Sequence, residues 1–332
     1  MAFFKTLKMS LNIIWKVTFI TEGIRYSLET VASIDIECSV DNLSDTAIIT
    51  LPEAVMNQVL NIGNEVKRGS QIIIQAGYDK ELKTEFVGYV QNVPTNDSSL
   101  KIMCEDALFL FRKGVKDVEL KPTSLPKIAQ LLINQIDSSF TLKCDYDITY
   151  EKFVIHQATG YDVLKKLAEE TKANIYFNTE KKELHIHPPY IEKGGEVIYS
   201  LQHNVENSSL EYKQAIDRKI EVTVEKTNLA GKIESYTTGT TGGDKVTLKV
   251  GSVSNADLKK IANAELIRRS ADMYEGSIDT WAIPFVQPTY TAKIKDEDYP
   301  EKDGKYYVTG VTTAINESGF KRTVKIGIKV SV

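Results

Sequence analysis

Apolar and polar residues alternate with a period of two along much of the chain. Leu11, Ile13, Trp15, Val17 and Phe19 alternate with Asn12, Lys16 and Thr18, which predicts a strand near the amino terminus. Ile34, Ile36, Cys38 and Val40 alternate with Asp35, Glu37 and Ser39, and the period resumes at Ala47, Ile49 and Leu51 after a polar turn at Asp41–Asp45. Gly63 and Gly69 bracket a charged turn before Ile72-Ile73-Ile74. Phe86–Val90 follows the turn at Asp79-Lys80, and Leu100, Ile102 and Cys104 alternate again. Short strands spaced by turn signals predict a small antiparallel barrel or sandwich, with Glu53–Leu60 as a helical turn capping it.

The period then lengthens. Ile128, Leu131, Leu132 and Ile136 fall at helical spacing from Ser124 onward, with Pro126 in the first turn. A second helix is predicted over about Tyr161–Thr171, with Val163, Leu164, Leu167 and Ala168 on one face and Lys165, Lys166, Glu169 and Glu170 on the other. Asp162 sits near its start, where a carboxylate suits the helix dipole. Ile175-Tyr176-Phe177, a polar turn at Asn178–Lys182 and Leu184–His187 then read as a hairpin. Pro188-Pro189 and Gly194-Gly195 mark a boundary.

The final third returns to strands at Ile220–Val224, Val246–Val250, Ser277–Ile283, Tyr290–Ile294, Tyr306–Thr313 and Val324–Val330. The Thr/Gly run Tyr236–Asp244 reads as a flexible surface loop. One helix is expected, with Leu258, Ile261, Ala262 and Leu266 on its face and a cap at Asn255. The expected fold class is α+β, predominantly β: two antiparallel β-barrel domains flanking a small α+β domain. The division predicted is an N-terminal, tube-like β-barrel at 1–110, a helix-hairpin unit at 111–195, and a C-terminal barrel with one helix at 196–332. The two outer parts read as versions of one barrel, though their sequence similarity is too faint to establish duplication.

Composition narrows the classes. The 332 residues are 42 % hydrophobic and 26 % charged, which argues against wholesale disorder. Forty-one basic against 45 acidic side chains give a net charge of −4, unlike a protein that coats nucleic acid or an anionic membrane. Cys38, Cys104 and Cys144 are too few and too scattered for a disulfide framework or a zinc spacing, so a reducing cytoplasm is the simplest folding compartment. Lys5 and Lys8 precede an apolar stretch in the manner of a signal peptide. Asn12 and Lys16 interrupt that stretch, however, and no small-residue cleavage site follows. No apolar run approaches the roughly 18 residues of a membrane helix. The chain therefore reads as soluble and unprocessed.

Candidate chemistry is sparse. Of the four histidines, His156, His185, His187 and His203, the pair His185 and His187 projects from one face of a strand and could seed a metal site. No cysteine or third histidine accompanies the pair at useful spacing, so a structural role is favoured. Asp296, Glu297, Asp298 and Asp303-Gly304 resemble a calcium loop superficially, but Pro300 and Glu301 break the pattern and a solvated turn is expected. In Gly239–Lys245, Asp244 replaces the glycine before the lysine of a phosphate loop and Val246 replaces its Ser or Thr. No Gly-x-Ser-x-Gly elbow exists, and acidic neighbours such as Glu105 and Asp145 should raise the thiol pKa values. Lys67-Arg68, Lys259-Lys260 and Arg268-Arg269 are balanced by nearby acids, which weakens a nucleic-acid surface. No catalytic, cofactor-binding or metal-binding residue is assigned, and no cofactor is expected.

Several stretches, in order, resemble the baseplate-hub family of phage tails and related injection machines: late-control D proteins, prophage tail hubs and the hub portion of the type VI secretion spike. They are Cys38-Ser39-Val40-Asp41-Asn42 leading to Ile48–Pro52, Gly69–Tyr78, and Phe86-Val87-Gly88-Tyr89-Val90 with its aromatic-x-Gly-x-Val step. Gly160–Glu170 followed by Ile175–Phe177 and Leu184–His187 is the most characteristic piece. Gly276–Ile283, Pro288, Gly304–Val308, Val311 and Gly319 resemble a closing barrel.

The resemblance implies a structural baseplate or tail hub and no enzyme. Three subunits of two similar barrels each would form a ring that adapts a six-fold tail tube to a three-fold spike. Cys38–Val40, Gly88 and Tyr307 would then be scaffold residues. Implied partners are two further copies, a tail tube protein, a separate spike protein and other baseplate proteins, with no stable nucleic-acid binding and no membrane insertion. The expected location is a virion or phage-like particle assembled in the bacterial cytoplasm. Because the chain stops at Val332 with no lysozyme-sized insert between the barrels, spike and wall-degrading activity are expected in separate proteins. Two other classes compete: a cell-wall glycosidase or peptidase, and a carbohydrate- or receptor-binding module using some of the 16 Tyr residues.

Overall fold

The computed structural model describes residues 12–28, 30–52, 66–79, 81–93, 95–96, 99–191 and 193–330. The helical turn expected at Glu53–Leu60 lies outside the described residues, as do Leu11, Gly63 and Lys80. The main described strands of the first barrel are β1 (Ile13–Thr21), β2 (Ile24–Leu28), β3 (Ser33–Ser39), β4 (Thr46–Leu51), β5 (Gln71–Tyr78), β6 (Glu81–Asn92) and β7 (Ser99–Glu105). The period of two explains their packing. Val17, Phe19, Ile34, Ile36, Ile49, Ile72, Ile74, Phe86, Val90 and Ile102 all point into one core.

The middle unit begins with a short helix, α1 (Leu108–Phe111), followed by α2 (Leu125–Ile136), β8 (Thr141–Cys144) and β9 (Thr149–Ile155). Next come α3 (Gly160–Thr171), β10 (Asn174–Asn178) and β11 (Glu183–His187). Both predicted helices form. In α3 the Thr159 side chain accepts from the Asp162 N–H while the Asp162 carboxylate accepts from the Thr159 N–H, a reciprocal cap. Gly160 is required by space, since a Cβ there would stand 2.5 Å from the Ile136 side chain and 2.8 Å from the Phe111 carbonyl. The predicted hairpin is β10–β11, to which β8 adds in parallel.

After β12 (Glu196–Ser200) come β13 (Ile220–Thr227), β14 (Ile233–Gly239), β15 (Asp244–Val250) and α4 (Asn255–Ser270). Here the structure corrects two expectations. The Thr/Gly run is not a flexible loop: Tyr236–Gly239 belongs to β14, only four residues turn, and β15 starts at Asp244. The β-branched Thr237 and Thr238 pair with Thr223 and Val222 of β13, so their propensity outweighs the glycines. The cap of α4 is Ser254, one residue before Asn255, because its hydroxyl accepts from the Asp257 N–H. Val222, Val224, Leu258, Ile261 and Ala262 enter the same core as Ile128, Leu132, Leu164 and Leu167. The packing of this segment thus crosses residue 195 and joins the middle unit.

The chain closes with β16 (Met273–Glu275), β17 (Ser277–Thr280), β18 (Thr291–Lys295), β19 (Gly304–Asn316) and β20 (Gly319–Lys329). Together with β12 they enclose a second core of Val197, Tyr199, Ile278, Ile294, Tyr306, Val308, Val324 and Ile326. The fold is predominantly β, as expected, and largely antiparallel, although β8–β11, β12–β18 and β13–β15 run parallel. One hydrogen-bonded path runs β17-β20-β19-β3-β4-β7-β6-β5-β1-β2, so the two barrels share a single continuous sheet.

Candidate functional site

The seam between the barrels is built on β19. Its first half pairs with β18, from Gly304 opposite Ile294 to Tyr307 opposite Thr291, and its second half pairs with β3, from Gly310 opposite Ser39 to Ile315 opposite Ile34. The β19–β20 register shifts twice between Tyr306 and Gly310, where the strand passes from one barrel to the other. Such bulges bend and twist a strand, which lets one strand serve two differently oriented sheets.

A buried ion pair crosses this seam. In the β5–β6 ladder Ile74 faces Phe86 and Gln75 faces Thr84, which leaves Glu85 as the extra residue of a bulge. Both its oxygens accept from Arg322 Nη2, at 2.6 and 2.7 Å, and the two side chains are 5 % and 0 % exposed. Arg322 also donates to the Ala282 and Pro284 carbonyls (2.9 and 3.3 Å) and to Thr313 Oγ1 (3.3 Å), which employs all five of its donors. Burial pushes the Glu85 carboxyl above its ordinary range, although Arg322 pulls it down. The Tyr78 hydroxyl donates to the Trp281 carbonyl at 2.7 Å, a second polar tie.

A smaller contact joins the middle unit to both barrels. Val40, Tyr307 and Ile328 are buried together, with Tyr176, Tyr190 and Met273 packed against them. Asn174 holds two segments there, donating to the Val40 carbonyl at 3.0 Å and accepting from the Tyr190 N–H at 2.8 Å. Beside it opens a cleft of about 480 Å³ lined by Asp45, Glu85, Tyr176, Glu183, His185 and Thr289, among others. The half-buried Asp45 and the buried Asp106 are neighbours on its barrel side: the Asp45 N–H donates to Asp106 Oδ2 at 3.1 Å. Burial pushes Asp45 up to about 6 and Asp106 well above the carboxylate range, the charge on Asp45 adding to the latter.

The residues singled out from sequence fall in separate places. Cys38, Cys104 and Cys144 are all free thiols. Burial raises each of them, Cys104 to about 12, and acidic neighbours add to this only at Cys38 and Cys144. His156 meets Asp117 at 2.6 Å and His203 meets Glu297 at 2.8 Å, both on the surface. Arg268 and Arg269 both pair with the buried Glu265. The acidic turn at Asp296–Asp303 does connect two strands but is not simply solvated. Asp296 is buried, and its Oδ1 accepts from the Asp298 N–H and Gln202 Nε2. Gly88 is fixed by close approach, because a Cβ would lie 2.4 Å from the Glu105 carbonyl. Glu85 and Arg322 escaped the sequence reading. The signal for Arg322 was its parity, inward with Phe320 and Val324 on β20.

Among the described residues, no group of three or more His, Cys, Asp or Glu side chains is arranged to hold a metal ion, and no helix is long and apolar enough to cross a membrane. The described sheet has open edges at β2, paired only with β1, and at β12, paired only with β18. Each carries an exposed isoleucine, Ile24 at 57 % and Ile198 at 51 %.

Solved structures share this architecture. A tail protein from Neisseria meningitidis MC58 superposes with a TM-score of 0.67 at 14 % identity, over 94 % of this chain and 96 % of that one. The 43 kDa tail protein of prophage MuSo2 from Shewanella oneidensis gives 0.62 at 16 %, over 94 % and 98 %. An E. coli component of the type VI secretion system, described as structurally similar to two bacteriophage T4 tail proteins, gives 0.60 at 13 %, over 95 % and 77 %. At such identities the likeness is one of fold. No curated protein sequence matches the chain. The family model that matches, over residues 12–317, is described as the Alg8 N-terminal domain and not by any of the hub names expected from the sequence. Since that match spans nearly the whole chain, the protein belongs to the Alg8 N-terminal domain family.

Proposed function

We propose that the protein is a structural hub subunit of a phage tail or phage-like injection particle. Three copies would form a ring that adapts a six-fold tube to a three-fold spike. The observation that carries this reading is the seam: two barrels held in one continuous sheet and tied by Glu85–Arg322 are fixed relative to each other, as a ring subunit built of two barrels requires. The fold shared with tail proteins and with a type VI secretion component supports it. The open edges at β2 and β12 are surfaces that a ring would cover, since a long-lived open edge invites pairing with another chain.

In this reading residues 1–110 act as one barrel, residues 111–195 as the connector, onto which β13–β15 and α4 pack, and the rest of 196–332 as the other barrel. Two further copies, a tube protein, a separate spike protein and other baseplate proteins are the partners. The assembled particle is the location, DNA or cargo passes without stable binding, and the chain itself does no chemistry. Light scattering and negative-stain imaging, alone and with the cognate spike, should show a three-subunit ring. A protein that stays monomeric in both conditions refutes the ring. Release of muropeptides from purified peptidoglycan would refute the non-enzymatic role.

A further inference from the structure

Two surfaces away from the seam carry opposite charge. The first is a groove of about 440 Å³ where the turn between β3 and β4, the helix α3 and the end of α4 meet. Arg112, Lys165, Lys172 and Arg268 line it, against two carboxylates, Asp41 and Glu169. Both carboxylates are engaged: the Tyr190 hydroxyl donates to Asp41 at 3.1 Å, and Lys165 stands 4.0 Å from Glu169. Glu105 and Glu265 fix the two guanidinium groups from behind, with side chains 2 % and 0 % exposed. A partner entering the groove therefore meets the arginines, 37 % and 38 % exposed, before the carboxylates that hold them. Half-buried Leu43 and Ala168 add an apolar component.

The second surface is the acidic turn of the second barrel. β12 and β18 pair in parallel up to Ser200 and Lys295, and the turn follows at once. Its backbone is fixed from within: Asp296 Oδ1 accepts from the Asp298 and Tyr299 N–H groups, and Asp303 Oδ1 accepts from the Asp296 N–H. Glu297, Asp298 and Glu301 are exposed around Tyr299, itself 53 % exposed. The basic groups beside them are His203, 2.8 Å from Glu297, and Lys302, whose Nζ lies 3.8 Å from the centre of the Tyr299 ring. An aromatic ring on a turn already held in shape loses little conformational freedom on docking. No residue of the turn lines the groove, so the two are separate surfaces.

We propose that the acidic turn Asp296–Asp303 of one copy docks into the cationic groove of a second copy, Tyr299 against Leu43 and Ala168 and the carboxylates against Lys165 and Lys172. The charges are complementary, and the exposed ring matches the apolar part of the groove. Because the contact joins two different patches it is head-to-tail, and contacts of that kind build rings when the rotation closes. The turn also borders β12, one of the open edges that a ring would cover. The contact rests on the ring reading and deepens it by naming what neighbouring subunits share.

The test uses the full-length protein, alone and with the cognate spike. Analytical ultracentrifugation follows association against concentration and salt for the unsubstituted chain and for two charge reversals, Lys165→Glu/Lys172→Glu and Glu297→Lys/Glu301→Lys. Each reversal should weaken association about tenfold or more, and combining them in one chain should recover it relative to either alone. Salt should weaken association of the unsubstituted chain. A second measurement needs no variant to fold: isotope-labelled and unlabelled chains are mixed and treated with a carbodiimide, which joins a lysine directly to a carboxylate. Links between copies from Lys165 or Lys172 to Glu297, Asp298 or Glu301 are expected. A protein that assembles yet tolerates both reversals, or yields no such links, overturns the contact and leaves the ring standing. Loss of assembly on reversing the groove but not the turn gives the groove to another acidic partner and overturns the contact equally. A protein that stays monomeric in both conditions refutes ring and contact together.

Discussion

The two junctions of the molecule are made differently. Between the barrels, backbone ladders continue through β19 and β20 past two register shifts, and a buried ion pair sits at the bulge at Glu85. Between the middle unit and the barrels there is a small apolar knot around Val40, Tyr307 and Ile328, a clamp at Asn174 and an open polar cleft. Moving the barrels apart would break sheet hydrogen bonds and strand a buried charge. Displacing the middle unit would break side-chain contacts, among them Leu43 and Tyr89 of the first barrel packed on the middle core and Arg112 paired with Glu105, but no ladder between described strands. The lesson is that the relation between the barrels is fixed by the backbone, and the middle unit is held on by side chains.

The largest effect should come from the seam. Arg322→Ala would leave the Glu85 carboxylate buried without its partner, a loss of about 3–5 kcal/mol of stability. Chemical denaturation at pH 7 measures it. Pairing Arg322→Met with Glu85→Gln should recover much of the loss, since a buried pair replaced by well-packed groups is far less costly than a broken one. If Arg322→Ala costs under about 1 kcal/mol, the ion pair does not hold the seam and the contrast between the junctions fails. Ile328→Ala attacks the knot. A loss of about 2 kcal/mol is expected, the low end for such a truncation, because the knot is small, with three buried members among the described residues. Hydrogen exchange in that variant should rise in β10 and β11 while the β3–β19 ladder stays protected.

Among the described residues, most of the strands and all the longer helices were legible in the chain, because their evidence is local. The alternation in Ile34–Val40 and the face Val163-Leu164-Leu167 each lie within a few residues of one another. The Thr/Gly run misled because two glycines in the turn at 240–243 coloured the neighbouring β-branched residues, whose partners are in β13. The attachment of β13–β15 and α4 to the middle core was illegible, since an apolar face does not name the surface it covers. Glu85 was hidden for another reason. Its role depends on a bulge, and a bulge is a mismatch in pairing that neither strand shows alone. The histidine pair was half visible: the spacing puts both rings on one face, but Asp145 reaches His187 from 42 residues away.

The carboxyl pair at the wall of the cleft gives a pH dependence. Asp45 has its pKa raised by burial from 3.8 to about 6, so the folded state holds that proton more tightly than the unfolded chain does. The stability this contributes is full below about pH 4 and is lost as pH rises through about 6. Asp106 shifts in the same direction. Asp45→Asn cannot lose the proton, and its amide oxygen can still accept from the Ser39 N–H. Its stability, measured by denaturant titration from pH 4 to 8, should therefore fall less over that range than that of the unsubstituted protein. Parallel pH profiles for the two would show that the pair titrates in water. The cleft would then be too open at that wall to account for the difference between the junctions.

The smallest effect sharpens the comparison most directly. Thr159→Ala removes the side-chain half of the α3 cap, leaving the Asp162 N–H without its acceptor. The cost should be about 1 kcal/mol, and the main packing of α3 is against α1, α2, β10 and β15, away from the seam. If the middle unit is only pinned to the barrels by side chains, that loss should be local. Amides in α2, α3 and β11 should exchange faster by roughly the factor of five to ten that 1 kcal/mol implies, while those of β3 and β19 keep their rates. If instead every slow amide accelerates equally, the whole chain opens as one unit, and the side-chain junction is as strong as the backbone one. The mild substitution decides this better than a severe one, because the molecule stays folded while the two junctions are compared.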